Sequence, residues 1–298
     1  MKLDPLHHGD GVRLFMDFFG VRRKNPDMKF LQEIVGQFAA LPYENISKIL
    51  KLNSFWDAGA KIRLPEEIID GHISFRLGGT CFSLTFFLQA ILTVNGFHCY
   101  PVMADMRAGR NIHCCCVVML DGRKYLVDPG YLLHQPMEIN PERPRLHRTE
   151  CAGVELRRHP ESLYHTLLTF DEKETKWRYR FLDRPTPPEE FLQHWYASFW
   201  KPTLHGILLT KVTREGLIYV HRTFMRETTF RGKRNVNIKR NYHAAIHDMF
   251  GIAPELVEQA QAALKENVAK ERALGLSLPK AKKPQRGEGE CPHEPKEE

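Results

Sequence analysis

The hydrophobic period of the chain changes at Asn95-Gly96, and that change limits the folds open to it. Upstream, Phe30, Leu31, Ile34, Val35 and Phe38 fall at i, i+1, i+4, i+5 and i+8, the apolar face of one helix. Leu41-Pro42 is expected to end it, because the residue before a proline is driven out of the α region. A second helix is predicted from Cys81 through FSLTFFLQAILTV, with Asn95-Gly96 as its left-handed cap. Downstream the runs are short and strand-like. IHCCCVVML and KYLVDPGY flank Asp121-Gly122, a hairpin signal, and LYHTLLTF, TKWRYRFL, HGILLTKV and GLIYVHRTF follow as further strands. PPEEFLQHWYASFW, opened by Pro187-Pro188, reads as a helix, and a last helix starts near Pro254.

Composition narrows the function classes. The 298 residues carry 43 basic and 36 acidic side chains, a surplus of +7 without a clustered basic stripe interleaved with aromatics, which argues against a dedicated nucleic-acid binder. The seven cysteines are odd in number and irregular in spacing, so they form no disulfide framework. Lys2, Asp4, Asp10, Arg13 and Asp17 interrupt any apolar core of a signal peptide, and the apolar run from Cys81 to Val94 is too short to span a bilayer. A reduced, cytoplasmic, membrane-free protein is expected. After Leu278 the composition turns to Lys, Pro, Gly and Glu, and residues 279–298 are expected to be disordered.

Three residues carry the chemistry. Gly78-Gly79-Thr80-Cys81 places a thiol at a helix start after two glycines that permit a tight backbone approach. Unpaired N–H groups and the positive dipole end at such a start favour the thiolate. With Asp121-Gly122 as the hairpin loop, His113 stands opposite Gly130 and Asp128 becomes its diagonal neighbour on the same sheet face. Diagonal neighbours lie about 7–8 Å apart between Cα atoms, within reach of a His–Asp hydrogen bond. A carboxylate-oriented imidazole facing a helix-start thiolate is what a nucleophile and its base require. Cys114, Cys115 and Cys116 alternate across a strand and cannot close around one ion, so no metal is expected and the run reads as small core residues. His7-His8 lacks a partner pattern and is expected at the surface.

These residues resemble the arylamine N-acetyltransferase family. RLGGTCF is similar to its Arg-Gly-Gly-x-Cys motif, NIHCCCVV to its histidine strand, and YLVDPGY to its Val-Asp-x-Gly-Phe segment. LPYEN, EEFLQHWYASFWKPTLHGILLTKV and MFGI resemble its further segments, so the likeness spans roughly residues 10 to 252. It implies an α+β fold: a helical bundle over residues 1–95 carrying the nucleophile, an antiparallel β-barrel over 96–200 carrying His113 and Asp128, and an α/β lid over 201–278. It implies ping-pong transfer of an acyl group, usually acetyl, from coenzyme A through Cys81 to an arylamine, arylhydrazine or similar amine. Tyr43 and Tyr131 would line the acceptor pocket and Gly130 would lie near the donor.

The chain departs from the family pattern at three places. Leu77 stands where the family has arginine, with Arg76 one place earlier. Ser83 and Thr85 replace Glu or Gln and Asn. Pro129 and Leu132 make a bulkier loop after the aspartate, on the donor side. Two alternatives remain open at this stage. The same triad could serve a thiol hydrolase, a transglutaminase-like cross-linker or an amide synthase with a donor other than coenzyme A. The fold could also persist without chemistry.

Overall fold

The computed structural model describes residues 2–54, 57–139, 145–159, 161–171, 173–200 and 204–275; the segment expected to be disordered, 279–298, lies outside them. Helices α1 (Gly9–Phe18), α2 (Met28–Phe38), α3 (Ile46–Ser54), α4 (Ala58–Lys61), α5 (Pro65–Phe75) and α6 (Cys81–Val94) precede the main sheet, with a short strand β1 (Tyr43–Glu44) among them. The apolar stripe predicted for α2 is its buried face, and α2 starts on an Asp27 side chain that accepts the Phe30 N–H at 2.7 Å. It ends at Phe38 rather than Leu41, because Ala40 and Leu41 tighten into bonds to Gln37 and Phe38 before the proline is reached. The Asn95-Gly96 cap forms as expected, with Gly96 at φ 89°.

After Gly96 the chain lays down β2 (His98–Met106), β3 (Gly109–Leu120), β4 (Arg123–Val127), β5 (Met137–Glu138), β6 (Arg145–Arg148), β7 (Gly153–Arg158), β8 (Tyr164–Phe170) and β9 (Thr175–Leu182). They form one antiparallel sheet in the order β5-β4-β3-β2-β9-β8-β7-β6, curled until β5 and β6 approach each other in a nearly closed barrel. The hairpin pairs Leu120 with Arg123, and Asp121 and Gly122 adopt φ 50° and 73°, the two left-handed positions such a turn needs.

Helix α7 (Pro188–Ala197) then leads to a second sheet of β10 (Leu208–Thr213), β11 (Gly216–His221), β12 (Phe224–Thr229) and β13 (Gly232–Asn237), with β1 on its β10 edge. The predicted strand GLIYVHRTF is in fact two, since the chain turns at Arg222, φ 55°. Helices α8 (Tyr242–Phe250) and α9 (Pro254–Ala273) close the described chain, α9 packing on α3. Among the described residues no helix is long and apolar enough to cross a membrane.

One correction concerns His7-His8. His7 is exposed, but His8 is largely covered, edge-on to Phe86 at 5.3 Å and bonded through Nδ1 to Glu66 at 3.0 Å. A distant carboxylate gives its polar atom a partner, so burial is tolerated.

The largest core joins α6 and α7. Trp195, 1% exposed, lies nearly parallel to Phe82 at 6.4 Å and tilted to Phe86 at 6.1 Å, with Phe191 edge-on. Trp195→Ala is expected to lower unfolding free energy in urea by about 3–5 kcal/mol; a loss well under about 1 kcal/mol would mean that the cluster does not hold these layers together.

Candidate active site

Backbone approaches backbone at the start of α6. A side chain on Gly78 would collide with the Pro42 carbonyl oxygen, which also accepts the Gly79 N–H at 3.3 Å. Glu44 donates its own N–H to the Gly79 carbonyl at 2.9 Å. Thr80 caps the helix in an extended conformation; Ser83 Oγ accepts its N–H at 3.1 Å and donates to its carbonyl at 3.0 Å. Cys81 is therefore the first helical residue, 7% exposed, its sulfur 3.9 Å from the Ile112 carbonyl. The unpaired N–H groups of the first turn converge on this position.

The β3–β4 ladder stops at Cys116–Val127, so His113 and Gly130 do not pair as strand residues. The chain has already turned by Asp128, yet the expected contact forms. His113 Nε2 lies 2.8 Å from Asp128 Oδ2, and the Tyr131 N–H donates to Asp128 Oδ1 at 3.0 Å. Both side chains are buried. With Nε2 engaged, Nδ1 is the nitrogen left for Cys81. A Cβ placed on Gly130 would stand 2.8 Å from His113 Cε1 and 3.0 Å from Cys81 Cβ, so this glycine is the gap in which thiol and imidazole meet.

Electrostatics follow from that packing. Burial opposes a charged His113, but the charge and hydrogen bond of Asp128 outweigh it and lift the imidazole to about 10. Cys81 is drawn well below the ordinary thiol range, first by the Cys114 thiol, against its own burial, and then by His113 and Lys48. Both shifts favour the thiolate–imidazolium form of the pair over the neutral one.

The other predicted residues gather here as well. Tyr131 stands edge-on to the His113 ring at 5.5 Å. Tyr43 bridges to Gly79, and its phenol is pushed up by burial and then by the charge of Cys81. The three adjacent cysteines part company, Cys114 toward the core beside Cys81, Cys115 into the barrel, and Cys116 under α6.

Sequence reasoning missed three neighbours. Tyr179 on β9 packs its ring 4.8 Å from His113. Lys48 on α3 is buried, donates to Ser198 Oγ at 2.6 Å, and is lowered to about 8 by burial. Arg63 donates to the Gly78 carbonyl at 2.6 Å. Tyr179 had a signal, alternation within a predicted strand; the two cations lie in segments whose sequence gives none.

The departures prove local. Leu77 and Leu132 are both buried, Leu132 in the left-handed region at φ 54°. Thr85 Oγ1 donates to the Cys114 carbonyl at 3.2 Å, tying α6 to β3.

A sequence model of the N-acetyltransferase family matches residues 27–257. Arylamine N-acetyltransferase 1 of Homo sapiens is 29% identical over a stretch covering 60% of this chain and 69% of its own. That of Bos taurus is 28% identical, over 44% of this chain and 49% of its own. The arylamine N-acetyltransferase of Mycobacterium abscessus superimposes with a TM-score of 0.72 at 17% identity, covering 86% of this chain and 96% of that one. The Mycobacterium smegmatis enzyme gives 0.68 at 22% identity, covering 85% and 96%. At such identities the superpositions speak for the fold.

The charge pairing predicts an unusual titration. Iodoacetamide alkylation of Cys81 should be faster at neutral pH and rise less steeply with pH than that of an ordinary thiol, because Cys81 ionises well below the usual thiol range and the imidazolium persists until about 10, whereas an ordinary thiol gains about tenfold per pH unit up to about 8.5. An ordinary rise in the native protein would refute the pairing. Gly130→Ala should slow that alkylation by at least about tenfold, since about 1 Å of misplacement costs that much or more.

Proposed function

The chain belongs to the arylamine N-acetyltransferase family, and on that premise we propose that Cys81 carries the acetyl group from coenzyme A to an aromatic amine, arylhydrazine or similar amine in two half-reactions. The family makes the protein an acyltransferase. One observation supports the route through Cys81 most directly: a buried His113–Asp128 hydrogen bond of 2.8 Å set against a thiol at a helix start.

In the first half-reaction the Cys81 thiolate adds to the carbonyl carbon of the acetyl thioester. N–H groups at the start of α6 oppose the charge that develops on the carbonyl oxygen. The bond to the coenzyme A sulfur breaks, and His113 gives that sulfur its proton. In the second, the amine nitrogen adds to the Cys81 thioester while neutral His113 takes a proton from it. Cys81 leaves as thiolate, restoring the thiolate–imidazolium pair and releasing the amide. Asp128 orients the imidazole through its hydrogen bond to Nε2.

Tyr43 and Tyr131 wall the acceptor side in this proposal, and Gly130 lies on the donor side, its backbone packed against His113 and Cys81. Intact-protein mass spectrometry after exposure to acetyl-coenzyme A should find one acetyl mass, located on Cys81 by peptide mapping, and lost on addition of an arylamine. Cys81→Ala should abolish both labelling and turnover. Labelling by other acyl donors and never by acetyl-coenzyme A would overturn the proposal.

A further inference from the structure

We propose that Arg63 is the positioning residue of the nucleophile turn: its guanidinium holds the Gly78 carbonyl and so fixes where Cys81 and the N–H groups at the start of α6 stand. The inference rests on Cys81 being the reactive thiol.

Arg63 lies between α4 and α5, 5% exposed. One nitrogen, Nη1, reaches the Gly78 carbonyl at 2.6 Å, Ser47 Oγ at 2.7 Å and Glu44 Oε1 at 3.4 Å. Nε lies 3.3 Å from Glu67 Oε1, and Nη2 donates to the Glu67 carbonyl at 3.2 Å. The fork thus spans two carboxylates and two backbone segments, which a single ammonium cannot do.

The turn it grips has little freedom elsewhere. Gly78 abuts the Pro42 carbonyl, and the next carbonyl, Gly79, is held by the Glu44 N–H. Glu44 is wholly buried; its carboxylate accepts the Ser47 N–H at 2.9 Å as well as Arg63. Arg63 and Glu44 therefore form a clamp whose two jaws take consecutive carbonyls immediately before Thr80 and Cys81. An unheld Gly78 carbonyl would be a buried acceptor without a partner, and the two glycines would have other conformations open to them.

The clamp also accounts for a peculiarity of the motif. The position before the two glycines, where the family has arginine, is Leu77, which is buried among apolar residues. Arg76, the nearest cation in sequence, sits outside, as the exposed left-handed cap of α5 beside Gly251. The guanidinium at the turn comes instead from a residue 15 positions upstream.

A structural role confined to neutralising Glu44 makes a different prediction from a positioning role. Glu44→Gln combined with Arg63→Met removes both charges of the buried pair, a replacement that proteins commonly tolerate, but leaves no donor for the Gly78 carbonyl. The pH profile of Cys81 alkylation by iodoacetamide, read by peptide mass spectrometry, needs no acyl donor and so tests Arg63 separately from the proposed reaction. In the folded double variant the rate at neutral pH should fall at least about tenfold and the profile should move toward that of an ordinary thiol near pH 8.5. Arg63→Lys should show a smaller shift in the same direction, and its acetylation of Cys81 should slow with little change in the acceptor's KM. A folded double variant with the native rate and profile would overturn the proposal; should it fail to fold, a native profile in Arg63→Lys overturns it equally. Absence of acetyl-Cys81 in the unmodified protein would instead strike the proposed function and leave the alkylation result standing.

Discussion

A carboxylate with no exposed surface dominates the site. Asp128 is tolerable there only because both oxygens are engaged, one by the His113 ring and one by the Tyr131 N–H. Those two bonds dictate much else. The Tyr131 bond lies within a turn that follows β4 at once, closed also by the Leu132 N–H on the Pro129 carbonyl and the Leu133 N–H on the Asp128 carbonyl, and this turn sets Gly130 against the imidazole. The His113 bond fixes the ring by Nε2 and commits the other nitrogen to Cys81. The charge of Asp128 then holds a proton on an imidazole that burial alone would strip. Replacing this carboxylate with an amide would keep the shape and lose the reason for the charge separation.

The Cys81 thiolate has several supports. Cys114, adjacent to His113 in sequence but on the other face of β3, supplies a weak donor to Cys81 from the core side, and its own thiol is pushed up by burial and by that neighbour. Lys48 adds a buried positive charge from α3, anchored on Ser198 and lying 4.5 Å from the Phe199 ring centroid. Three different layers of the fold, the start of α6, the strand β3 and the helix α3, therefore converge on one sulfur. That convergence makes the thiol a property of the assembled fold, more than of the Gly-Gly-Thr-Cys motif that announces it.

What could be read in advance follows from this division. Parity along the hairpin, which any even loop conserves, was enough to bring His113 to Asp128, and the glycines before Cys81 told of a tight approach. The error in the register near Gly130 was harmless because a diagonal contact survives the end of the ladder. Strand β2 was not legible because Pro101 argues against a strand; it is tolerated where β2 pairs with β3 alone, since the bonds to β9 begin only at Ala104. Strands β6 and β13 lack buried faces, so no alternation betrays them. His8, Lys48 and Arg63 were illegible for a further reason: their partners, Glu66, Ser198 and Gly78, are tertiary neighbours that no local period encodes.

The departures from the family pattern show which parts of the site are set by side-chain identity and which by position. Ser83 reaches only to the turn beside it, and Thr85 only to the neighbouring strand; each holds backbone with a hydroxyl, so another short polar side chain of suitable reach could do the same. The guanidinium at the turn comes from Arg63, 15 residues before the Gly78 carbonyl it holds. By contrast a side chain on Gly130 would displace the His113 ring or the start of α6, since its Cβ would stand 2.8 Å from His113 Cε1 and 3.0 Å from Cys81 Cβ. Absent volume at Gly130 and the buried Asp128 carboxylate constrain the backbone closely, while the groups that steady them act only by holding particular backbone atoms.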